Sequence, residues 1–171
     1  MRLADAPVLP FEFGSVAATY REYVEEIGKE SKKNDTTAAL DLSGVSAALD
    51  RLVEAAARYD SALARLEGMS AADVDARWQT LEPVNELLYR TERALTDPAG
   101  LPGRDWFRHL IYAPGFYTGY GVKTMPGIRE AVEDRPDLDL AQSEAARVAS
   151  AIDRFTADVS AAAEQLTRAL R

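Results

Sequence analysis

The apolar residues between positions 148 and 170 recur at steps of 4, 3, 4, 3, 4 and 4. They are Val148, Ile152, Phe155, Val159, Ala162, Leu166 and Leu170. Steps of this size place side chains along one narrow stripe of an α-helix. A single helix cannot bury its own stripe, so the stripe must pack against other helices. The pattern predicts a long C-terminal helix, with its start marked by a capping pair of Asp139 and Gln142.

Two further helices are predicted in the first half of the chain. Apolar residues at helical spacing indicate a helix from about 15 to 33, which Ser15 can cap. A second stripe begins at Ser43 and closes at Gly68, because glycine favours the end of a helix. Both segments carry polar residues between the apolar ones, as expected of helices with one buried face.

A third helical pattern begins at the cap-like Ser70 and continues to Leu95. Pro83 lies inside it, and a proline removes one backbone donor and clashes with the preceding turn. We therefore expect a kink or a short break at Pro83. Pro126 and Gly127 begin a short helix that runs through about Glu133.

Four long helices and one long connection predict an all-α fold, an antiparallel four-helix bundle with an ordered loop between the third and fourth long helices. Nearly half of the residues are apolar and there is no cysteine, so the core must form without disulfides. The net charge of −8 disfavours nucleic acid and anionic membranes as partners. No apolar run approaches the roughly 18 residues of a membrane span, so we expect no membrane contact by this chain.

The loop contains the segment Y-A-P-G-F-Y-T-G-Y-G-V-K-T-M-P-G, residues 112–127. Its glycines, prolines and tyrosines follow no regular period. One interpretation is that rings pin the loop onto the helices, through Tyr112, Phe116, Tyr117 and His109. The other is that the loop offers phenol hydroxyls and backbone groups to a ligand or partner. Composition leaves both interpretations open.

Catalytic and metal-binding patterns are missing from the sequence. His109 is the only histidine, so one chain cannot supply a zinc site built on several histidines. The Glu-x-x-His pairs of di-metal bundles do not occur, nor does a nucleophile elbow or a phosphate loop. We therefore predict no catalytic residue, no metal and no cofactor in this chain.

Four motifs carry a resemblance to a known family. They are R-L-A-D-A-P-V-L-P-F-E-F at 2–13, E-R-A-L-T-D-P-A-G-L-P-G-R at 92–104, W-F-R-H-L-I-Y-A-P at 106–114 and M-P-G-I-R-E-A-V at 125–132. In this order they resemble the C-terminal domain of glutamate carboxypeptidase II and its relatives, the transferrin receptor-like dimerisation domain. The resemblance implies an antiparallel four-helix bundle that helps to hold a homodimer.

The resemblance also implies a larger parent protein. In the family this domain follows a protease-associated domain and an M28-type zinc peptidase domain, which holds two zinc ions and the catalytic groups. Residues 1–171 would then be a single domain cut from such a parent, a carboxypeptidase acting on peptides. The family implies a secreted, periplasmic or extracellular location. An inactive, receptor-like relative is the alternative parent, in which the domain serves only dimerisation or binding.

The family gives the loop a role on the substrate side of the active site. There a Lys-Tyr pair senses the C-terminal glutamate of the substrate. Alignment through Y-A-P and P-G places Tyr120 on the tyrosine, whereas the lysine position falls on Gly119. Lys123 lies close in sequence, and we expect it to be the substitute cation. Removed from its parent, the domain is expected to form a weak or non-native dimer.

Overall fold

The computed structural model describes residues 6–117, 119 and 121–171 of a mostly helical chain with one small two-stranded sheet. The elements in chain order are α1 (Phe13–Ser31), α2 (Ser43–Glu67), α3 (Ala71–Ala76), α4 (Trp78–Leu88), a 3₁₀ turn (Thr91–Leu95), β1 (Tyr112–Pro114), β2 (Val122–Thr124), α5 (Pro126–Glu133) and α6 (Leu138–Ala169). None of the helices in the described residues is long and apolar enough to cross a membrane.

The predicted stripe of the C-terminal helix is confirmed. All of its members from Val148 to Leu170 are buried, and α6 spans Leu138–Ala169. The largest buried residues of α2 include Leu49, Leu52 and Tyr59, none of which has measurable exposure. The centre of the core therefore lies between α2 and α6, as two facing apolar stripes predict, and the other helices extend it.

The start of α6 differs from the prediction. Asp137 caps the helix, and its side chain accepts a hydrogen bond from Leu140 N at 3.0 Å. Gln142 instead exchanges two hydrogen bonds with the backbone of Asp41, at 2.9 and 3.0 Å. Asp139 lies in the first turn of α6, where its negative charge interacts favourably with the positive end of the helix dipole. The sequence offers several acids here, and spacing alone selected the wrong one.

The predicted caps of two other helices have opposite outcomes. Ser70 caps α3 as predicted, since its Oγ accepts from Asp73 N at 3.2 Å. Ser15 does not cap α1, because the helix already begins at Phe13. The Ser15 hydroxyl donates to the carbonyl of Glu12 at 3.0 Å, within the first turn.

Of the kink or short break predicted at Pro83, the break does not occur there. The helix is interrupted at Arg77, between α3 and α4, whereas Pro83 stays inside α4. Proline at this site removes one donor from the helix. Burial of Leu81, Val84 and Leu88, on either side of it, offsets that loss.

Helices α2 and α6 form the central pair of the fold and run parallel. Arg51 bonds Asp153 and Arg58 bonds Ser160, each across 102 residues, so both helices advance in the same direction. The second and fourth helices of an antiparallel four-helix bundle also run parallel, so this direction by itself does not contradict the predicted arrangement. The long connection between α2 and α6 allows them to be direct neighbours.

The remaining helices lie against this pair. α1 packs on α2 in the opposite direction, since Phe13 contacts Tyr59 while Arg21 pairs with Asp50. α4 packs on α6, and α5 packs on both α6 and α1. α5 is thus seated on two long helices.

The predicted long loop contains an element that the sequence did not indicate. β1 and β2 form an antiparallel hairpin in which Tyr112 pairs with Thr124 and Pro114 with Val122. Strands of three residues are too short to show an alternating pattern. The hairpin leads through one residue, Met125, into α5.

Candidate functional site

The connection between the 3₁₀ turn and the hairpin folds back on itself. Asp97 N donates to Arg108 O, and Leu101 N donates to Phe107 O, both at 2.9 Å. These bonds satisfy backbone groups that a long loop would otherwise expose. The predicted ordered loop is therefore held by its own backbone as well as by side chains.

Gly100 makes this close return possible. Its φ is +67°, in the left-handed region. A Cβ added at Gly100 would overlap three backbone atoms of Asp105, namely the Cα, the carbonyl carbon and the carbonyl oxygen. A larger residue would therefore meet both backbone strain and a direct clash with immobile atoms.

Arg104 is a buried cation that joins three segments. Its side chain is 4% exposed. Nη1 donates to the carbonyl of Pro114 at the end of β1, and Nη2 donates to the carboxylate of Glu130 in α5. The same Glu130 oxygen accepts from Phe116 N at 3.0 Å. The loop, the hairpin and α5 are thus fixed to one another by one charge pair.

Four exposed apolar side chains, three of them aromatic, lie on the loop and hairpin that this pair joins, and we call them the exposed aromatic surface. They are Trp106, Phe116, Tyr117 and Val122, which are 70%, 44%, 58% and 71% exposed. The Arg135 guanidinium lies 5.6 Å from the Phe116 ring centre and 5.4 Å from that of Tyr117. Cation–π contacts at this range orient the rings without burying them.

The base of the hairpin is seated on α1 through Tyr112. Its ring lies 6.2 Å from the rings of Tyr20 and Tyr23, and it stacks on His109 at 5.5 Å. Burial raises the pKa of Tyr112 to about 12, so its hydroxyl keeps its proton at neutral pH. Tyr112 and His109 therefore lie together at the base, whereas Phe116 and Tyr117 lie together further along the hairpin.

His109 accepts two backbone hydrogen bonds. Nδ1 receives Ile111 N at 3.2 Å and Tyr112 N at 3.1 Å, which places the ring proton on Nε2. Burial lowers the pKa of His109, and the carboxylate of Glu92 opposes that effect in part. The ring is thus a neutral acceptor that shapes the turn before β1.

This geometry predicts a pH dependence of folding. Between the lowered pKa of the folded state and the ordinary value of 6.5, the unfolded chain binds more protons at His109 than the folded chain. The contribution of neutral His109 to the free energy of unfolding is therefore complete above pH 6.5. It is lost as the pH falls through the pKa that His109 has in the folded chain. Thermal unfolding at several pH values should show a steeper fall in Tm below pH 6.5 for the native chain than for His109→Asn. The asparagine oxygen can replace Nδ1 as acceptor, and parallel curves for the two proteins would refute the assignment.

The residues predicted to face substrate have different placements. Gly119 has a φ of +65°, and a Cβ added there would meet no atom within 4 Å. Lys123 is 12% exposed, with Nζ 2.6 Å from Asp134 Oδ2 and 3.2 Å from Glu133 Oε2. Tyr120 lies outside the described residues. A substrate carboxylate would have to displace two existing partners to reach Lys123.

Sequence reasoning missed Arg104 and Glu130. Both lie within the motifs that carried the resemblance, G-L-P-G-R and P-G-I-R-E. The sequence showed that Arg104 lies between two apolar segments, which could have indicated a buried cation. Its partner Glu130 lies 26 residues further along the chain, so the pair was not apparent. Across the described residues, no three His, Asp or Glu side chains come close enough together to hold a metal ion.

These features describe a helical scaffold that presents one ordered loop with an exposed aromatic surface. The sequence matches the transferrin receptor-like dimerisation domain over residues 40–160, and the chain belongs to this family. The helices α2 to α5 and most of α6 lie within the matched range.

The relatives are considerably longer proteins. A probable glutamate carboxypeptidase of Arabidopsis thaliana is 30% identical over 139 residues, 81% of this chain and 18% of the relative. An inactive zinc metalloprotease of Schizosaccharomyces pombe is 30% identical over 156 residues, 89% of this chain and 19% of that protein. A probable glutamate carboxypeptidase of Zea mays is 29% identical over 151 residues, 85% of this chain and 20% of the relative. The chain thus spans about a fifth of the length of these relatives.

Proposed function

We propose that residues 1–171 act as the non-catalytic dimerisation domain of a larger, glutamate carboxypeptidase-like zinc peptidase. The hairpin then contributes to the substrate side of the parent's active site. The observation that carries this proposal is the exposed aromatic surface on a loop held rigidly by Arg104 and Glu130. Exposed apolar patches on a fixed scaffold are typical of surfaces that meet another domain.

The division of roles follows from the side chains present. The described residues contain no metal-ligand cluster, so the described part of this chain does not fit a zinc centre. We assign the two zinc ions and the catalytic groups to the parent's peptidase domain. The helices α1, α2, α4 and α6 act as a four-helix bundle that supports a homodimer.

The proposed contribution to substrate binding centres on Tyr120 and Gly119. In the family pattern, a lysine at the position of Gly119 would meet the carboxylate of a C-terminal glutamate. Glycine offers no cation there, and Lys123 is already paired with two carboxylates. We therefore expect the parent to prefer glutamate less strongly than the family pattern implies.

A substitution tests this expectation in the longer protein. Gly119→Lys should raise kcat/KM about tenfold for peptides ending in glutamate over those with neutral ends, because a charge-assisted bond outweighs the left-handed strain. A Cβ added at Gly119 would meet no atom within 4 Å, so the substitution introduces no steric clash at that carbon. Gly119→Asn is the matched control, since it tolerates the same φ without adding charge. Equal kcat/KM for both substrate classes in Gly119→Lys would contradict the proposed role.

A second candidate is the dimerisation or binding domain of an inactive parent. The similarity to a protein named as an inactive zinc metalloprotease favours it, as does the missing cation at Gly119. In that case the aromatic surface packs against a neighbouring domain and meets no substrate. Reading the preceding open reading frame for His, Asp and Glu zinc ligands separates the two candidates.

A further inference from the structure

Charged side chains tie one arm of the hairpin to α5 and the other arm to Asp134, the residue that caps the C-terminal end of α5. On the first arm, Phe116 N donates to Glu130 Oε1 at 3.0 Å. On the second arm, Lys123 Nζ lies 2.6 Å from Asp134 Oδ2. Between them, Gly115 N donates to Gly121 O at 2.9 Å and closes the hairpin. Both ends of the hairpin tip therefore have fixed positions relative to α5.

Lys123 is positioned to hold β2 in place. Its side chain is 12% exposed, and its two acidic partners are 29% and 24% exposed. Charge-assisted bonds between partly buried groups are screened less by solvent than those on an open surface. β2 is thus attached to the C-terminal end of α5 by the side chain of its central residue.

The joint between β2 and α5 reinforces this attachment. Met125 has a φ of 44° and a ψ of 56°, and its side chain is fully buried. Its N–H donates to the carbonyl of Ile111 at 2.8 Å. A left-handed conformation is uncommon for a residue other than glycine and persists where the surroundings determine it. The direction in which β2 leaves α5 is therefore fixed.

We propose that Lys123 is a positioning residue rather than a substrate contact. Paired with Glu133 and Asp134, it fixes Gly121 and Phe116 relative to α5, and it thereby sets the affinity of the parent for peptide substrates. This inference rests on the proposed function, and it replaces the expectation that Lys123 supplies the missing cation. It predicts an effect that is independent of the charge at the end of the substrate.

The kinetic test uses the longer protein. Lys123→Met should raise KM about tenfold while kcat changes less than about twofold, because the tip contributes equally to binding the ground state and the transition state. The rise should be the same for peptides ending in glutamate and for those with neutral ends. Lys123→Arg should restore KM, since its guanidinium can bridge the same two carboxylates. Lys33→Met removes an exposed cation that pairs with Glu30, and it serves as the matched control.

Removing the partners of Lys123 separates positioning from direct contact. The double variant Glu133→Met/Asp134→Leu should raise KM as much as Lys123→Met does, because either change removes both contacts between Lys123 and the acidic side chains. If Lys123 instead binds the substrate carboxylate, this double variant releases the cation and lowers KM for peptides ending in glutamate. That result, or a loss confined to those peptides in Lys123→Met, would overturn the inference.

Two further measurements distinguish failure of this inference from failure of the proposed function. In the 171-residue chain, amide exchange at Gly115 should become about tenfold faster in Lys123→Met, whatever the parent does. Unchanged exchange would reject the positioning role. In the longer protein, Tyr120→Phe tests the substrate-side role itself. If Tyr120→Phe and Lys123→Met both leave the kinetics unchanged, the proposed function fails. If only Tyr120→Phe alters them, the inference about Lys123 fails.

Discussion

Gly100→Ala is expected to lower the free energy of unfolding by at least about 4 kcal/mol, at the far end of the range for single substitutions. The added Cβ would overlap the backbone of Asp105, which cannot rotate away as a side chain can. The left-handed φ of +67° adds backbone strain. Urea unfolding followed by far-ultraviolet circular dichroism measures the loss.

Gly119→Ala is the matched control for this prediction. Its φ of +65° is nearly the same, but no atom lies within 4 Å of the added Cβ. It should cost only about 1–2 kcal/mol, the strain of the left-handed conformation alone. If both variants lose the same stability, the close return of the loop at Asp105 does not form in solution.

Arg104→Met is expected to destabilise the fold by about 3–5 kcal/mol, because it leaves one member of a buried ion pair without its partner. The Glu130 side chain is 14% exposed, so water can solvate its carboxylate only in part. The carbonyl of Pro114 would lose its donor as well. The loss should appear both in urea unfolding and as faster amide exchange at Phe116, whose N–H depends on the position of Glu130.

Two controls show whether burial causes the effect. The double variant Arg104→Met/Glu130→Met should recover most of the lost stability, since apolar replacements of buried pairs are often neutral. Arg90→Met removes an exposed pair with Glu86, whose side chains are 60% and 53% exposed, and should cost less than about 1 kcal/mol. Equal losses in Arg104→Met and Arg90→Met would show that the Arg104 pair is solvated.

The long helices were predictable because the spacing of apolar residues within one short segment is enough to indicate a helix. The stripe from Val148 to Leu170 depends only on spacing within one helix, and burial follows that spacing along α6. Helix starts were less predictable, since several residues near each start can accept a backbone hydrogen bond. Asp137, rather than Asp139, caps α6, because its extended backbone directs the carboxylate to Leu140 N.

The hairpin and the Arg104–Glu130 pair that holds it depend on contacts between residues distant in sequence. The spacing of residues along the chain does not reveal such contacts. β1 and β2 have three residues each, and their pairing is visible only in space. Arg104 and Glu130 meet across 26 residues and look like ordinary surface charges in the sequence. Lys123 was assigned by its proximity in the sequence to the lysine position at Gly119, although its ammonium pairs with Glu133 and Asp134 at the end of α5. The family resemblance located the segment but did not give the orientation of its charged side chains.

The parallel pairing of α2 with α6 also determines when the core can form. Partners such as Arg51 and Asp153 are 102 residues apart, so the two stripes meet only after nearly the whole domain has left the ribosome. Until then, among the long helices that the structure describes, α1 is the one that packs on α2. Contacts between residues so distant in sequence slow folding, because a long segment must be closed into a loop before any burial is gained. A nascent chain that stops before α6 therefore exposes the apolar face of α2. Chaperones can bind this face, and without them it can cause aggregation.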